Sequence, residues 1–332
     1  RDPANRVDGQ SAAIEFGARL FFDPRLSAGG DLSCASCHLP PRAFQDGRKV
    51  AVGRAEGIRN TPTLLDVAQQ RWFGWDGAHD SLWAASLSPL LQAGEMGQRL
   101  ETLAATVRRE PRLAAGYRTA FGIAPGTDDE QVVVDVAKAL AAWQATLVSP
   151  RTPFDDFRDA LARGDSAAAA RYPAAAQRGL RLFVGEARCS VCHAGATFSN
   201  GEFADIGVPF FVPGGVDPGR HGGLQKLLAS RMNRLGPHDD AGAADARAVA
   251  TRHVIIEPRH FGEFRVPGLR QLVHTAPYMH DGSLASIEDV VQHYSALNEE
   301  RLHADGERIL RRLDLTLQQA ADLAAFLRSL SR

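Results

Sequence analysis

The sequence lacks three features that would place it in a special class of protein. Its net charge is −1, so nothing favours nucleic acid as a partner and long-range steering should be weak. No apolar run is long enough to span a bilayer. Alternating strand patterns are missing apart from short runs such as 253–256, which predicts a mainly α fold.

The remaining composition is that of a globular chain. Hydrophobic residues make up 44% and charged residues 23% of the 332 residues, which is far from a disordered composition. This is enough for a sizeable core, and the length suits about two domains of ordinary size.

Cysteine is scarce, and all four copies fall in two short segments. These are Cys34-Ala-Ser-Cys37-His38 and Cys189-Ser-Val-Cys192-His193. A Cys-x-x-Cys-His run is the signature of covalent haem attachment, in which the thiols bond to the porphyrin and the histidine reaches the iron. A redox dithiol needs no histidine directly after it, and zinc would have to gather ligands from two distant segments. We therefore predict two c-type haems, with His38 and His193 as iron ligands.

The chain opens with Arg1-Asp2-Pro3 and shows no apolar leader. Covalent haem attachment is normally completed outside the bacterial cytoplasm. We therefore expect a mature periplasmic protein from which the signal peptide has been removed. This expectation rests on the chemistry of the cofactor, because the leader itself is not visible.

A weak internal repeat surrounds the two haem motifs. Residues 17–22 (Gly-Ala-Arg-Leu-Phe-Phe) precede the first motif, and residues 179–183 (Gly-Leu-Arg-Leu-Phe) precede the second. Each segment is predicted to be a helix that leads into a haem-binding loop.

Each half also ends in a predicted helix. Thr127-Asp-Asp-Glu130 is a candidate capping box for a helix from 131 to about 147, and Thr316-Leu-Gln-Gln319 is one for a helix through Leu330. The residues near one face of the first helix are Val133, Val136, Ala137, Leu140 and Trp143. Two unrelated helical domains would explain the caps but not the matched order. We predict two cytochrome c-like domains, over residues 1–150 and 165–332, each with one covalently attached haem.

The connections are predicted from turn-forming and compositionally biased segments. Ser149-Pro-Arg-Thr-Pro153 breaks the first closing helix and marks a domain boundary. The alanine-rich stretch 160–175 is predicted to be a helical connector. Residues 206–250 are rich in Gly, Pro, Asp and Arg, which predicts a long surface loop inside the second half.

Neither histidine nor methionine occurs between His38 and His79. The first haem therefore lacks an obvious nearby ligand on its second face, which favours an open iron that can bind a substrate. An electron carrier would have both faces occupied. Because His79 follows Trp75-Asp76-Gly77 in a polar turn, we interpret it as a solvated surface histidine rather than a ligand.

Four candidates are available as the second ligand of the second haem. They are Met279, His280, His293 and Tyr294. A helix predicted to start at Ser286 places Tyr294 on its apolar face with Ile287, and turns His293 about 100° away. This periodicity does not distinguish an iron ligand from an ordinary core tyrosine.

Together, these segments resemble the bacterial di-haem cytochrome c peroxidase family, and within it the MauG-like branch. The resemblance covers nearly the whole chain, and the set of motifs is highly specific, although any one short piece would not be. Besides the haem motifs, it rests on Arg59-Asn60-Thr61-Pro62, Phe73-Gly-Trp75-Asp76-Gly77, Pro89 through Glu95-Met96-Gly97, and Thr275-Ala-Pro277-Tyr-Met-His280-Asp-Gly282.

The resemblance implies a catalytic haem in the N-terminal half, an electron-transfer haem in the C-terminal half, and a bound calcium ion. Trp75 matches a tryptophan between the haems, Glu95 matches a glutamate near the peroxide site, and Pro89 begins the same matched segment. The implied calcium ligands, which include backbone oxygens, are Asn60, Thr275 and Pro277.

Two departures from typical peroxidases agree with the MauG-like branch. Typical members have a methionine where this chain has Tyr294, and the branch has a tyrosine, which implies Tyr294 as the distal ligand of the second haem. Typical members also carry a removable histidine on the first haem, between His38 and Asn60, and that histidine is missing here. A third departure is Ala85, ten positions before Glu95, where a glutamine is usual; one distal hydrogen-bonding group is therefore absent.

The function implied by the resemblance is a periplasmic di-haem peroxidase of MauG-like type. Hydrogen peroxide should bind opposite His38, where Glu95, desolvated by neighbours such as Leu90, moves the proton that lets water leave. The alternative for Glu95 is a surface glutamate between two glycines. Trp75 should relay charge, so that the two irons share the oxidising equivalents as a paired Fe(IV) state and oxidise a donor at a distance, such as a protein side chain.

Three other functions stay open from the sequence. A conventional peroxidase would draw electrons from a small cytochrome or cupredoxin. A non-enzymatic di-haem electron carrier would have both irons capped and would not react with peroxide, which the missing cap before His79 argues against. A peroxide sensor or detoxifier would have no protein substrate.

Overall fold

The computed structural model of the chain describes residues 1–242, 244–306 and 309–332. The predicted mainly α fold is confirmed. The helices in these ranges are α1 (Ser11–Phe21), α2 (Cys34–Cys37), α3 (Leu82–Leu91), α4 (Leu100–Arg109), α5 (Pro111–Phe121), α6 (Asp129–Gln144), α7 (Pro153–Ala162), α8 (Ser166–Ala169), α9 (Ala174–Val184), α10 (Arg220–Ala229), α11 (Ala246–Arg252), α12 (Ile287–Ser295) and α13 (Leu317–Arg328). Within this described part of the chain, no helix combines the length and hydropathy needed to cross a membrane.

The strands form two small antiparallel pairs. They are β1 (Phe203–Ala204), β2 (Phe211–Val212), β3 (Gly215–Val216) and β4 (Phe264–Arg265). Phe203 of β1 lies opposite Arg265 of β4, and Phe211 lies opposite Val216 in a tight hairpin. The run 253–256, singled out as a strand-like pattern, is irregular.

The first half is built around α6, which packs against α1, α3 and α4. Its residues 132–142 are all buried, including the charged Asp135 and Lys138, so the helix lies inside the domain rather than on its surface. Where α1 crosses α6, a Cβ placed on Gly17 would lie 2.0 Å from the carbonyl oxygen of Ala139. Glycine therefore sets the close approach of the two backbones.

The second half repeats this crossing with α9 and α13, which pack against each other. A Cβ on Gly179 would lie 1.9 Å from the carbonyl oxygen of Asp322. The repeat seen in the sequence is thus a repeat of one helix–helix contact, with a glycine four residues before a buried phenylalanine, Phe21 or Phe183, in each copy.

The helix starts were predicted with mixed success. The capping box Thr316–Gln319 and the helix start at Ser286 are confirmed. The box predicted at Thr127–Glu130 is wrong, because the N-cap of α6 is Asp128, whose side chain accepts from the backbone of Gln131. The Asp128 carboxylate, one residue after Thr127, accepts from a free backbone N–H group at the helix start. The helix ends at Gln144 rather than near residue 147.

The alanine-rich stretch 160–175 is not one connector helix, because it is divided among α7, α8 and α9. Thr152 and Asp155 form a capping box at the start of α7, and a turn and Pro173 separate α7, α8 and α9. Arg270 donates two bonds of 2.8 and 2.9 Å to Asp155, which ties α7 to the second half.

The prediction that residues 206–250 form a surface loop is wrong. The segment contains the β2–β3 hairpin, α10 and the start of α11, and it packs on the first half. The fully buried Arg234 donates to the backbone oxygen of Asp80 at 2.9 Å, and Lys138 donates to Asp240 at 2.6 Å. The predicted domain bounds of 1–150 and 165–332 stay a prediction.

Candidate active site

The two motif histidines have the same environment. His38 Nδ1 lies 2.9 Å from the carbonyl oxygen of Phe44, and His193 Nδ1 lies 2.9 Å from that of Phe198. Both phenylalanines have positive φ, which turns each carbonyl toward its ring. Burial lowers the pKa of both histidines, which keeps the rings neutral. Because Nδ1 donates to the backbone, Nε2 is left with its lone pair for a metal.

The motif cysteines are also alike in the two halves. Cys34 and Cys37 occupy the short helix α2, Cys189 begins a 3-10 turn, and none of the four forms a disulfide. Burial raises the pKa of Cys34 to about 12 and that of Cys189 to about 11. These buried thiols are therefore protonated at neutral pH and lack the lowered pKa of a reactive thiolate.

A cavity of about 1000 Å³ opens beside the second motif. Its wall contains Cys189, Cys192 and His193 on one side and Tyr294 from α12 on another. The apolar lining includes Phe183, Leu269, Ile287, Val291 and Leu323. A wall of this size and composition, with two thiols and a neutral histidine, fits a covalently attached haem.

Tyr294 is one of three candidate ligands that line this cavity. Burial raises the pKa of Tyr294, so a phenolate there needs a neighbouring cation. His293 points elsewhere, as its Nε2 lies 2.8 Å from the carbonyl oxygen of Ile206. Met279 and His280 also line the cavity, so the structure brings three of the candidates together and leaves His293 out.

Glu95 lies beside the first motif. Its charge raises the pKa of the thiols of Cys34 and Cys37 in addition to burial, which places its carboxylate near both. Glu95 is exposed as judged by its solvent-accessible area. The protein around its carboxyl group nevertheless desolvates that group and raises its pKa. Leu90 is fully buried, and Met96 nearly so.

The turn that carries Glu95 is held from two directions. Pro89 lies in the last turn of α3, and its carbonyl oxygen accepts from Met96 at 3.1 Å. The backbone of Arg54 donates to Glu95 at 3.0 Å, and a Cβ on Gly53 would lie 2.8 Å from the Glu95 Cα. The loop between His38 and Asn60, where a histidine is missing, is thus fixed against this turn.

Trp75 connects the two halves of the molecule. Its indole N–H donates to the carbonyl oxygen of Asn60 at 2.8 Å, and its own carbonyl oxygen accepts from Arg265 at 2.8 Å. Asn60 in turn donates its backbone N–H to His280 at 2.7 Å. Trp75 also lines the same cavity as His193, so it lies between residues of both halves.

The three implied calcium ligands are brought to this place as well. Asn60, Thr275 and Pro277 all line the cavity. The Asn60 side-chain amide donates to the carbonyl oxygen of Arg48 at 2.8 Å, so its amide oxygen remains as an acceptor. Within residues 1–242, 244–306 and 309–332 no cluster of three His, Cys, Asp or Glu side chains could hold a metal. A cation here would rely on amide and backbone oxygens, which calcium accepts.

Comparison with known proteins agrees with this geometry. A family model described as di-haem cytochrome c peroxidase matches residues 11–163. The methylamine utilization protein MauG of Methylorubrum extorquens is 34% identical over 329 residues, covering 98% of this chain and 80% of that protein. The chain belongs to the di-haem cytochrome c peroxidase family. The cytochrome-c peroxidase IdrP1 of Denitromonas iodatirespirans is 33% identical, covering 96% of this chain and 81% of that protein.

Structural superposition supports membership of the same family. A solved MauG-like protein associated with microbial copper homeostasis superposes with a TM-score of 0.73 and 28% identity, covering 97% of this chain and 90% of that one. The protein is therefore a haem-dependent oxidoreductase of the peroxidase type, and its family carries two haems. The names of its relatives divide between MauG and cytochrome c peroxidase, so membership alone does not name the donor.

The prediction that His79 is a solvated surface histidine is wrong. His79 is half-buried, and burial lowers its pKa to about 4. Its carbonyl oxygen accepts from Phe73 at 2.9 Å and closes the turn that carries Trp75. Ala85 lies on α3 and packs against the hydrophobic core, so only a methyl group stands where a glutamine is usual.

Sequence reasoning missed the charges around Trp75. Arg265 is 5% exposed, lines the cavity, and has its pKa lowered to about 10 by burial. Burial lowers the pKa of Arg265 without an opposing carboxylate among the described residues, so an acidic group of a bound haem would suit this wall. Arg265 lies two residues before Pro267, as Asn60 lies two residues before Pro62, and this repeated spacing is the sequence signal that could have pointed to Arg265.

Proposed function

We propose that this di-haem peroxidase is of the MauG-like type. In this proposal peroxide is reduced at the haem held by Cys34, Cys37 and His38, and the oxidising equivalents are shared with a second haem between His193 and Tyr294. They are then passed to a donor outside the chain, such as a side chain of another protein. The observation that carries the proposal is that Tyr294 shares one cavity with His193.

At the first site the bound haem would supply an iron with one open face. The chain's own contribution there is a proton acceptor and donor. Glu95, with its pKa raised by burial, can accept a proton from the inner oxygen of peroxide and return it to the outer oxygen, so that water leaves. Pro89 and the loop at Gly53 fix the backbone of this turn.

At the second site the chain would supply an anionic ligand. Burial makes a free Tyr294 phenolate unfavourable, and a ferric iron held by His193 and Tyr294 would offset that cost. A phenolate is a strong donor, which stabilises an oxidised iron. Two oxidising equivalents could then be held as a paired Fe(IV) state.

Trp75 would be the relay between the two haems, because it lines the cavity and bonds to segments of both halves. A calcium ion held by Asn60, Thr275 and Pro277 would stabilise the same junction. The cellular site we propose is the periplasm, where covalent haem attachment is completed.

The second candidate is a conventional peroxidase fed by a small cytochrome or cupredoxin. It is favoured by relatives that are named cytochrome-c peroxidases, such as the one from Denitromonas iodatirespirans. Steady-state turnover of reduced cytochrome c with peroxide would favour this candidate.

The experiment that tests the proposal is optical and EPR spectroscopy of the ferric protein before and after one equivalent of peroxide. We expect one high-spin and one low-spin haem before the addition, and changes at both afterwards. Mössbauer spectra should then show two Fe(IV) sites. Two low-spin haems that ignore peroxide would mean an electron carrier instead.

A further inference from the structure

The two helix crossings place two aromatic residues at equivalent positions. The Cβ of Trp143 lies 3.0 Å from the Cβ position built on Gly17, and that of Phe326 lies 2.8 Å from the one built on Gly179. Trp143 on α6 and Phe326 on α13 are therefore counterparts in the internal repeat. Because the α9–α13 crossing has phenylalanine at this position, a phenylalanine should also fit at the position of Trp143 in the α1–α6 crossing.

Each of these residues belongs to an aromatic cluster that reaches the phenylalanine bonded to the motif histidine. In the first half, Trp143 lies 4.3 Å from Phe21 and 6.0 Å from Phe44, measured between ring centroids. In the second half, Phe326 lies 4.9 Å from Phe183 and 6.2 Å from Phe198. Because Phe44 bonds to His38, Trp143 is one ring contact away from the residue that orients the first iron ligand.

The two clusters differ in chemistry and in their access to solvent. The second contains phenylalanines, which resist oxidation, and Phe326 is fully buried. The first contains an indole, which is readily oxidised, and Trp143 is partly exposed. It also contacts Phe22, which is 51% exposed, with ring centroids 6.0 Å apart. The oxidisable ring thus lies in the half that carries the first haem motif, between Phe44, whose carbonyl oxygen bonds to His38, and the exposed Phe22.

We propose that Trp143 is a redox relay between the first haem and a donor at the surface near Phe22. In the relay step one electron passes from the indole of Trp143 to the peroxide-oxidised haem site, and the indole N–H proton is released to solvent. The donor of the proposed function, an oxidisable side chain of another protein docked at this surface, then returns one electron, and a proton from solvent restores the indole. This route leaves by the histidine side of the first haem and is separate from Trp75, which lies between the halves. It rests on the proposed peroxide chemistry, which supplies the oxidant.

The test compares Trp143→Phe, Trp143→Tyr and Trp83→Phe with wild type, after one equivalent of peroxide and rapid freezing. Trp143→Phe copies the aromatic residue of the second half, so folding and haem content should be kept. We expect it to lose the tryptophan-radical EPR signal and the oxidation of that position detected by mass spectrometry. Trp143→Tyr should replace the signal by a tyrosyl one. Trp83 is a buried tryptophan of the same half, and its ring faces Lys138, so Trp83→Phe should leave the signal unchanged.

The outcomes separate this relay from the proposed function. A wild-type optical spectrum that does not change with peroxide would overturn both. A normal optical change, with the same radical signal in Trp143→Phe as in wild type, would overturn the relay and leave the peroxide chemistry standing. A signal lost from Trp83→Phe and kept in Trp143→Phe would also overturn it.

Discussion

A single hydrogen bond decides the chemistry of each motif histidine. The carbonyl oxygens of Phe44 and Phe198 accept a hydrogen bond from Nδ1–H, and burial keeps both rings neutral. The tautomer that can bind iron through Nε2 is therefore set before any metal arrives. The sequence motif names the histidines, whereas the backbone turns that aim the carbonyls appear only in the fold.

Glu95 gives the first prediction. Changing it to Gln removes the proton acceptor but keeps the shape of the side chain. We expect the rate constant for the optical change with peroxide to fall by about 10²–10⁴-fold, measured by stopped flow. Glu56→Gln is the control, because Glu56 is an exposed glutamate in the loop that contacts the Glu95 turn, and its rate should match wild type.

The same residue predicts a pH dependence. The carboxylate form of Glu95 is the proton acceptor, and burial raises its pKa above the usual value. The wild-type rate should therefore fall as the pH is lowered through that raised pKa, and the falling limb should be missing from Glu95→Gln. An identical acid limb in the two proteins would assign the titration to another group.

Tyr294 gives the second prediction. Tyr294→Phe removes the phenolate oxygen but keeps the ring, so haem content should be unchanged while the low-spin optical and EPR signals of the second haem shift. Tyr294→Met should raise the reduction potential of that haem, because an anionic ligand is replaced by a neutral one. The control is Tyr278→Phe in the same cavity, whose hydroxyl donates to Leu272 at 2.8 Å. If Tyr294→Phe retained the wild-type spectra, Tyr294 would not be a ligand.

At the scale of elements, the repeated α1–α6 and α9–α13 crossings depend on two glycines. A methyl group at Gly17 or Gly179 would meet a backbone carbonyl oxygen at 2.0 or 1.9 Å, and neither helix can move without repacking the core. We expect Gly17→Ala and Gly179→Ala each to lower the free energy of unfolding by at least about 1–3 kcal/mol. Denaturant unfolding of the haem-loaded protein, followed by circular dichroism, measures this loss.

Gly126→Ala is the matched control for the helix crossings. A Cβ there meets no atom within 4 Å, so the same change should be neutral or stabilise by about 0.4–1 kcal/mol. Equal losses at Gly126 and Gly17 would show that the crossings are not special.

The elements also show where sequence reasoning succeeds and where it stops. The haem motifs, the helices before them and the closing helices follow from local patterns, and the capping box at Thr316 and the helix start at Ser286 are confirmed. The sequence does not show that the segment 206–250 is packed, because its polar residues, such as Arg234, bond to partners far away in the sequence, such as Asp80. The burial of His79 likewise depends on tertiary contacts that no local pattern records.

At the scale of the whole molecule, Arg59 is one of the charges that join the halves. It forms a two-bond pair with Asp217, at 2.7 Å for each bond, and a third contact of 2.7 Å with Asp76. Burial alone would raise the pKa of both carboxyls, yet Arg59 lowers them below their usual values. The next residue, Asn60, bonds to Trp75, so this network fixes the junction through which charge would pass.

The last prediction removes this cation. Arg59→Leu leaves two buried carboxylates without their main partner, and we expect a loss of about 3–5 kcal/mol in the free energy of unfolding at neutral pH. Arg151→Leu is the control, because Arg151 pairs with Asp156 and Asp159 on the surface, and its loss should stay below about 1 kcal/mol.

The pH dependence distinguishes a charge network from simple packing. In wild type the lowered carboxyl pKa values contribute stability that is present above the unfolded pKa and is lost as the pH falls through the folded values of Asp76 and Asp217. Arg59→Leu should remove this loss, so the variant should approach wild-type stability in acid. A gap between the two proteins that stays constant with pH would show that Arg59 stabilises the junction by packing alone.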